Sequence, residues 1–341
     1  MSRNQQIQQW IDRHVAPRYP GAEIGIAPAS ADASFRRYFR LVLPDGSTRV
    51  LMDAPPDKED CRPFIRVAGL FAEAGICVPE IEIADPENGF LLLSDLGRAG
   101  LLAALQSKPE LADTLMRLAL DVLTRWQLAS RPDALPPYDT ALLRQELQLF
   151  PDWFIVRHLG KTLSGAQRQS LQTLFQRLID SALAQPRVFA HRDFMPRNLM
   201  VVESEPSPTI GVLDFQDAVY GPLTYDVVSL FRDAFISWEE EQELDWVARY
   251  WEKARAAALP VPADFSDFWR DYEWMGLQRH LKVLGIFCRL NYRDGRAHYL
   301  ADLPRFIAYA RKTAGRYNAL SSLLTLLDAL EDIHAQSGLT F

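Results

Sequence analysis

The sequence contains no run of ~18 uninterrupted apolar residues, the length a membrane-spanning helix requires, so a transmembrane anchor of that kind is excluded. Its first segment, MSRNQQIQQWIDRH, is polar and lacks the apolar core of a signal peptide, and a cytoplasmic protein is expected. Cysteine is scarce. Cys61, Cys77 and Cys288 are odd in number and widely spaced, without a zinc-knuckle or Cys-x-x-Cys pair, which argues against a disulfide framework and reads as reduced thiols. Positive charge is in deficit: 37 Lys and Arg stand against 44 Asp and Glu, for a net charge of −7, and no Lys/Arg block interrupts the acidic background. A nucleic-acid polyanion or an anionic membrane is therefore not expected as the main partner; a small molecule bound by a monomer is. Internal repeats and low-complexity tracts are absent. What is present, 341 residues at 48% hydrophobic and 24% charged, suffices to bury a large core in one bilobed unit or two domains.

Ile7, Trp10, Ile11 and Val15 recur at helical spacing and predict a short amphipathic helix, ended by Pro17, Pro20 and Gly21. Beyond it the pattern is strand, small-residue loop (Ala29 to Ser34), strand (Phe35 to Leu43), Pro44-Asp-Gly-Ser turn and strand (Arg49 to Met52). A loop of small residues between strands lets backbone N–H groups approach a polyphosphate, as a Gly-rich loop does, although Ser30, Asp32 and Ser34 stand where glycines would be and the same pattern also fits a surface hairpin tip. Lys58 to Gly75 reads as a helix, and Glu80 to Ala84 and Phe90 to Leu93 as strands. At Ser94-Asp-Leu-Gly97 the composition changes from strands to helices, which places an inter-lobe hinge there and divides the chain into 1–97 and 98–341. Leu101 to Ala129, Thr140 to His158 and Gly165 to Leu183 are predicted as helices, and so are Trp238 to Ala258, Phe265 to Asn291 and Tyr299 to His334.

Chemistry concentrates between Val188 and Asp226. His191-Arg192-Asp193 is followed by Asn198 five residues after the aspartate, and by Asp214 at the end of an apolar run. This is the order of a kinase catalytic loop and its metal aspartate. Leu199 to Val202 and Thr209 to Leu213 are predicted as the two arms of a hairpin, which brings Asn198 and Asp214 to one end of it. A carboxylate and an amide oxygen suit Mg²⁺ on the phosphates of ATP, so Asp214 and Asn198 are the expected metal ligands. Asp193 is then the catalytic base, accepting the acceptor hydroxyl's proton. A helix cap or a turn carboxylate would explain any one of these residues, but would have to be invoked several times in one short window. His191 and Arg192 are read as structural. Asp226, near the start of a predicted helix, is expected to cap it and to brace the loop. Lys282 and Arg289, seven apart on one helix face, fit either a solvated basic stripe or an anion-facing wall of an acceptor pocket.

The loop HRDFMPRN followed by VLDFQDAVYGPLTYD resembles the aminoglycoside phosphotransferase-like superfamily, small-molecule relatives of protein kinases. SADASFRRYFR, VLMDAPPDKED, LLLSDLG and LQRHLKVLGIFCRLNYRDG are further similar to bacterial cell-wall amino-sugar kinases, so that the resemblance covers essentially the whole chain. It implies an α+β, bilobed protein-kinase-like fold with a small antiparallel-sheet N-lobe and a larger, mainly helical C-lobe. It implies an ATP- and Mg²⁺-dependent kinase for the anomeric C1 hydroxyl of N-acetylmuramate or N-acetylglucosamine, acting in peptidoglycan recycling, a route that bypasses the de novo synthesis fosfomycin inhibits. Adenine would bond to the hinge backbone around Ser94 and Leu96, and the triphosphate would lie under Ser30, Asp32, Ala33, Ser34, Phe35 and Arg36. In one place the sequence departs from the kinase pattern: Met52 stands at or near the strand lysine that holds the α/β-phosphates, leaving Arg36, Arg37 or Lys58 as substitutes. Other small acceptors on the same fold, or a non-catalytic nucleotide-binding pseudokinase, are the alternatives. A protein kinase fits less well, because Phe-Gln follows Asp214 and no Ala-Pro-Glu closes an activation segment.

Overall fold

The computed structural model describes residues 2–30, 35–205 and 207–337. In chain order the elements begin α1 (Arg3–His14), β1 (Gly25–Ser30), β2 (Arg37–Val42), β3 (Thr48–Asp53), α2 (Arg62–Glu73), β4 (Ile81–Asp85), β5 (Phe90–Ser94) and α3 (Leu101–Ser107). There follow α4 (Ala112–Leu128), α5 (Thr140–Leu149), α6 (Gly165–Ala184), β6 (Arg187–Ala190), β7 (Leu199–Val202), β8 (Thr209–Val212) and β9 (Val219–Pro222). The chain closes with α7 (Tyr225–Phe231), α8 (Glu240–Ala256), α9 (Phe265–Asp294), α10 (Leu303–Arg316) and α11 (Ser321–Ser337). Two compact units result, one of residues 1–107 with 198–217, the other of 108–197 with 218–341.

The first unit is built on a five-stranded antiparallel sheet in the order β1-β2-β3-β5-β4. Helix α1 starts in a capping box, with the Ser2 hydroxyl accepting from the Gln5 N–H and the Gln5 side chain accepting from the Ser2 N–H. Its apolar stripe of Ile7, Trp10 and Ile11 packs with Leu41, Leu51, Phe90 and Leu92 into one core. Polar contacts fix the same helix: Arg3 Nε and Arg37 Nε reach the two oxygens of the fully buried Asp53 at 2.7 and 2.8 Å. The β7–β8 hairpin belongs to this unit for local reasons. Val201 donates to the Ala99 carbonyl at 2.7 Å and Val212 to that of Cys77 at 2.9 Å, so the hairpin joins segments on either side of β4 and β5 instead of the helical part that precedes it in sequence.

In the second unit the long helix α9 is central: residues 275–285 are buried without a break, packed against α5, α6, α7 and α10. Trp126 of α4 lies 4.8 Å from Phe189 of β6, whose partner strand is β9. Beyond α5 the chain continues from Phe150 to His158 as a π-type turn, wider than an α-helix. The single helix expected from Leu101 to Ala129 is divided, because Pro109 has no N–H to donate and starts a 3₁₀ turn between α3 and α4. Gly285 permits the closest approach of two helices. A Cβ there would sit 2.4 Å from the Leu149 carbonyl carbon and oxygen. Gly285→Ala is expected to lower stability by about 1–3 kcal/mol through forced separation of α9 from the end of α5. Chemical denaturation checks this, and an unchanged midpoint would mean that the end of α5 gives way freely.

Among the described residues no helix is long and apolar enough to cross a membrane. The three cysteines are free thiols, Cys61 and Cys288 buried and Cys77 half-buried.

Candidate active site

Strand β6 ends at Ala190, and the loop that follows is held from Asp226, the second residue of the buried helix α7. Asp226 is completely buried and accepts the His191 N–H at 2.7 Å and the Arg192 N–H at 3.0 Å. Both oxygens thus serve the loop, and the expected helix cap is not made: α7 has no side-chain N-cap bond. His191, also completely buried, accepts the Asp193 N–H at Nδ1 (3.2 Å) and stands edge-on to Phe194. Arg192 adopts φ 74°, the left-handed region that a residue with a Cβ occupies only when its surroundings enforce it. Asp193 is half-buried, and its carbonyl accepts the Met195 N–H at 2.8 Å.

Burial lifts the Asp226 carboxyl to about 7, against the two amide bonds that favour its charge, and the nearby Asp193 adds to the rise. Since the folded-state value lies above the ordinary one, folding favours the neutral form. That contribution is complete below about pH 4 and is lost as pH rises through about 7. Compared with an Asp226→Asn chain, the parent is expected to lose stability on the order of 4 kcal/mol between about pH 4 and pH 8. Asp233, raised to about 6 by burial, acts in the same direction but is common to both chains and cancels. Denaturant titrations across this range check the difference; a gap that does not vary with pH would rule it out.

In the first unit, β7 and β8 pair with Leu199 opposite Val212, and Leu213 donates to the Asn198 carbonyl at 2.9 Å. Asn198 and Asp214 therefore flank the same end of one hairpin. Asp214 is exposed, has φ 60°, and accepts from Gln216 Nε2 at 2.8 Å. The other end of that amide, Gln216 Oε1, is buried without a hydrogen-bond partner. An exposed carboxylate, the Asn198 amide and the Gln216 amide oxygen are oxygen donors of the kind that a hard cation takes. Mg²⁺ usually keeps several waters and takes one or two carboxylates together with phosphate oxygens, so these residues fit it.

Asp32, Ala33 and Ser34 lie outside the described residues; Ser30 ends β1, and Phe35 is largely exposed. Arg36 Nη2 meets Glu59 Oε2 at 3.1 Å. Of the other two cations considered for the missing strand lysine, Arg37 is held by Asp53, and the Lys58 ammonium lies 5.2 Å from the Phe35 ring. Met52 is fully buried in β3, opposite Tyr38 and Leu91. In the segment expected to be a hinge, Ser94 N–H is bonded to the Glu80 carbonyl (2.8 Å) and its hydroxyl accepts from the Glu80 N–H (2.8 Å). Leu96 is half-buried in a turn that Asp95 ties down through a fork of bonds from Arg40, at 2.5 and 3.0 Å.

A family model described as the phosphotransferase enzyme family matches residues 25–261, most of the chain and all of the loop and hairpin just described. The chain belongs to that family. This phosphotransferase is 51% identical over 337 residues to an N-acetylmuramate/N-acetylglucosamine kinase of Pseudomonas aeruginosa, covering 96% of this chain and 97% of that protein. It is 48% identical over 344 residues to a protein of the same name from Neisseria meningitidis, with all of both chains covered. An ADP-bound aminoglycoside phosphotransferase of known structure superposes with a TM-score of 0.57 at 13% identity, covering 89% of this chain and 98% of the other. The fold is accordingly the protein-kinase-like one, a small antiparallel sheet with a larger helical part.

Lys282 of the phosphotransferase does not form the open anion-facing wall expected of it. It is buried in the middle of α9, where neighbours surround the helix, and its ammonium is 2.9 Å from Glu146 Oε1 and 3.0 Å from the Tyr225 hydroxyl. Arg289, two turns on, is half-buried, and burial together with Arg293 lowers its pKa. The pairing of Glu146 with Lys282 is not legible in the sequence. Glu146 occupies an inward position in TALLRQELQL, and a carboxylate on an apolar helix face was the one available signal.

Proposed function

We propose that this phosphotransferase moves the γ-phosphoryl group of ATP to the anomeric C1 hydroxyl of N-acetylmuramate or N-acetylglucosamine, a step of amino-sugar recycling in the cytoplasm. The observation that carries the reading is identity of about half the residues, over nearly the full length of both chains, to two kinases bearing those substrates in their names. The loop geometry supplies the chemistry. Asp193 would accept a hydrogen bond from the C1 hydroxyl and take its proton as the new O–P bond forms and the bond to the β-phosphate oxygen breaks, leaving ADP. Asn198 and Asp214 would hold Mg²⁺, which when bound neutralises charge on the β- and γ-phosphates.

Arg36 takes over from the missing strand lysine in this reading. It adjoins the loop expected under the triphosphate, and Glu59 braces it as a carboxylate braces the lysine of a kinase. Arg36→Met is expected to raise KM for ATP by about 10-fold or more, the loss of one charge-assisted contact, with little change in KM for the sugar. Steady-state kinetics with each substrate varied check it, and an unaltered KM for ATP would return the role to another cation.

Incubation with ATP, Mg²⁺ and a panel of sugars, choline and aminoglycosides, followed by phosphorus NMR, tests the function itself. A phosphate coupled to an anomeric proton is the expected product. Phosphate on C3 or C6, or turnover of the other acceptors alone, would overturn the assignment.

A further inference from the structure

One carboxylate in the second unit gathers an unusual number of donors. Glu146 of α5 is 4% exposed. Its Oε1 accepts from Lys282 Nζ (2.9 Å) and from Arg192 Nη2, and its Oε2 accepts from the Tyr138 hydroxyl and from Gln278 Nε2 (3.2 Å). Burial opposes the charge of Glu146, yet the Lys282 ammonium and the Arg192 guanidinium override it and hold the carboxyl down at about 2. The donors come from the segment before α5, from the loop after β6 and from α9, and Lys282 extends the contact to Tyr225 of α7. A buried ion is costly unless it is paired, and here one carboxylate is shared by two cations.

Arg192 matters among these because of where it stands. Its backbone lies in the left-handed region, immediately before Asp193. The turn is gripped at several points: Asp226 takes the Arg192 N–H, the Ser229 hydroxyl reaches the Arg192 carbonyl at 3.5 Å, and Glu146 takes the guanidinium, which also lies 5.8 Å from the Tyr138 ring. The first two grip the backbone. The Glu146 contact acts on the side chain, and it ties the loop to the α5–α9 core.

We propose that Glu146 is a positioning residue for phosphoryl transfer: by anchoring Arg192 it holds the strained turn that aims Asp193, and Lys282 is the brace that seats Glu146. The inference rests on Asp193 being the base. Misaiming a reacting group by about 1 Å can lower a rate about 100-fold, whereas nucleotide binding, which does not use this turn, is left alone. Losing the anchor should therefore appear in kcat and not in KM for ATP.

The full chain is assayed with ATP and N-acetylglucosamine as Glu146→Gln, Arg192→Met, the pair combined, and Glu146→Gln with Lys282→Met, each alongside thermal unfolding. Either of the first two is expected to lower kcat about 10- to 100-fold with KM for ATP within about threefold of the parent. Combined, they should fall no further than the worse single change, since both remove one contact. Adding Lys282→Met to Glu146→Gln removes the unmatched ammonium and should recover thermal stability while kcat stays low; it also replaces Glu146→Gln if that variant does not fold. Full recovery of kcat with Lys282→Met would reduce Glu146 to a counter-ion and overturn the proposal, as would multiplying effects in the combined variant. An inactive Asp193→Asn beside an unaltered Glu146→Gln overturns this inference alone; an active Asp193→Asn overturns the base assignment and this inference with it.

Discussion

Asp193→Asn is expected to lower turnover about 1,000-fold while leaving nucleotide affinity nearly unchanged, within the range that positioned general bases contribute. The substitution leaves two backbone contacts of the loop intact, the Asp193 N–H to His191 and the Met195 N–H to the Asp193 carbonyl. Asparagine keeps the size of the side chain and can still accept a hydrogen bond from a hydroxyl, but it cannot take the proton. Orientation should survive in part and proton transfer should not. ADP release in a coupled assay, set beside fluorescent-nucleotide binding, measures both sides. Turnover within a few fold of the parent would mean that the acceptor hydroxyl is deprotonated by another group or by solvent.

Asp214→Asn is expected to be nearly as damaging, lowering turnover about 100- to 1,000-fold and weakening divalent-cation binding in the presence of ADP. Here too the fold should tolerate the change. Asparagine is enriched among residues with positive φ, so the backbone at φ 60° is no obstacle, and its amide oxygen can still accept from Gln216 Nε2. What disappears is the negative charge. A Mn²⁺ titration followed by electron paramagnetic resonance separates loss of metal binding from loss of chemistry, and undiminished binding would remove Asp214 from the metal site. Thermal unfolding of the metal-free chain should stay close to the parent's.

The hairpin that carries Asn198 and Asp214 is legible in the sequence because alternation of apolar residues and a Glu-Ser-Glu-Pro-Ser-Pro turn leave few other folds for that stretch. Strand β9 is not, since Val-Tyr-Gly-Pro is too short for periodicity and ends in a residue that cannot donate to a ladder. The break at Pro109 was visible as a proline, but the apolar spacing on either side carried the helical reading across it. Charged residues gave the clearest division. Asp193 and Asp214 could be picked out because chemistry dictates their spacing. By contrast, the setting of Lys282 depends on which helices surround α9, and that Arg3 and Arg37 meet at Asp53 depends on the sheet register that sets Arg37 opposite Asp53 and on the packing of α1 that brings Arg3 to it. Helical spacing assigns a side chain to a face; it does not say whether water or a carboxylate lies beyond that face.

The ion pair between Arg192 and Glu146 bears on how such an enzyme is governed. Protein kinases commonly order their activation segments by adding a phosphate opposite arginine, a charge that a phosphatase can remove again. In this chain the countercharge is written into the gene and lies out of reach of any modifying enzyme. An Arg192 side chain set by a built-in carboxylate needs no added phosphate to hold it.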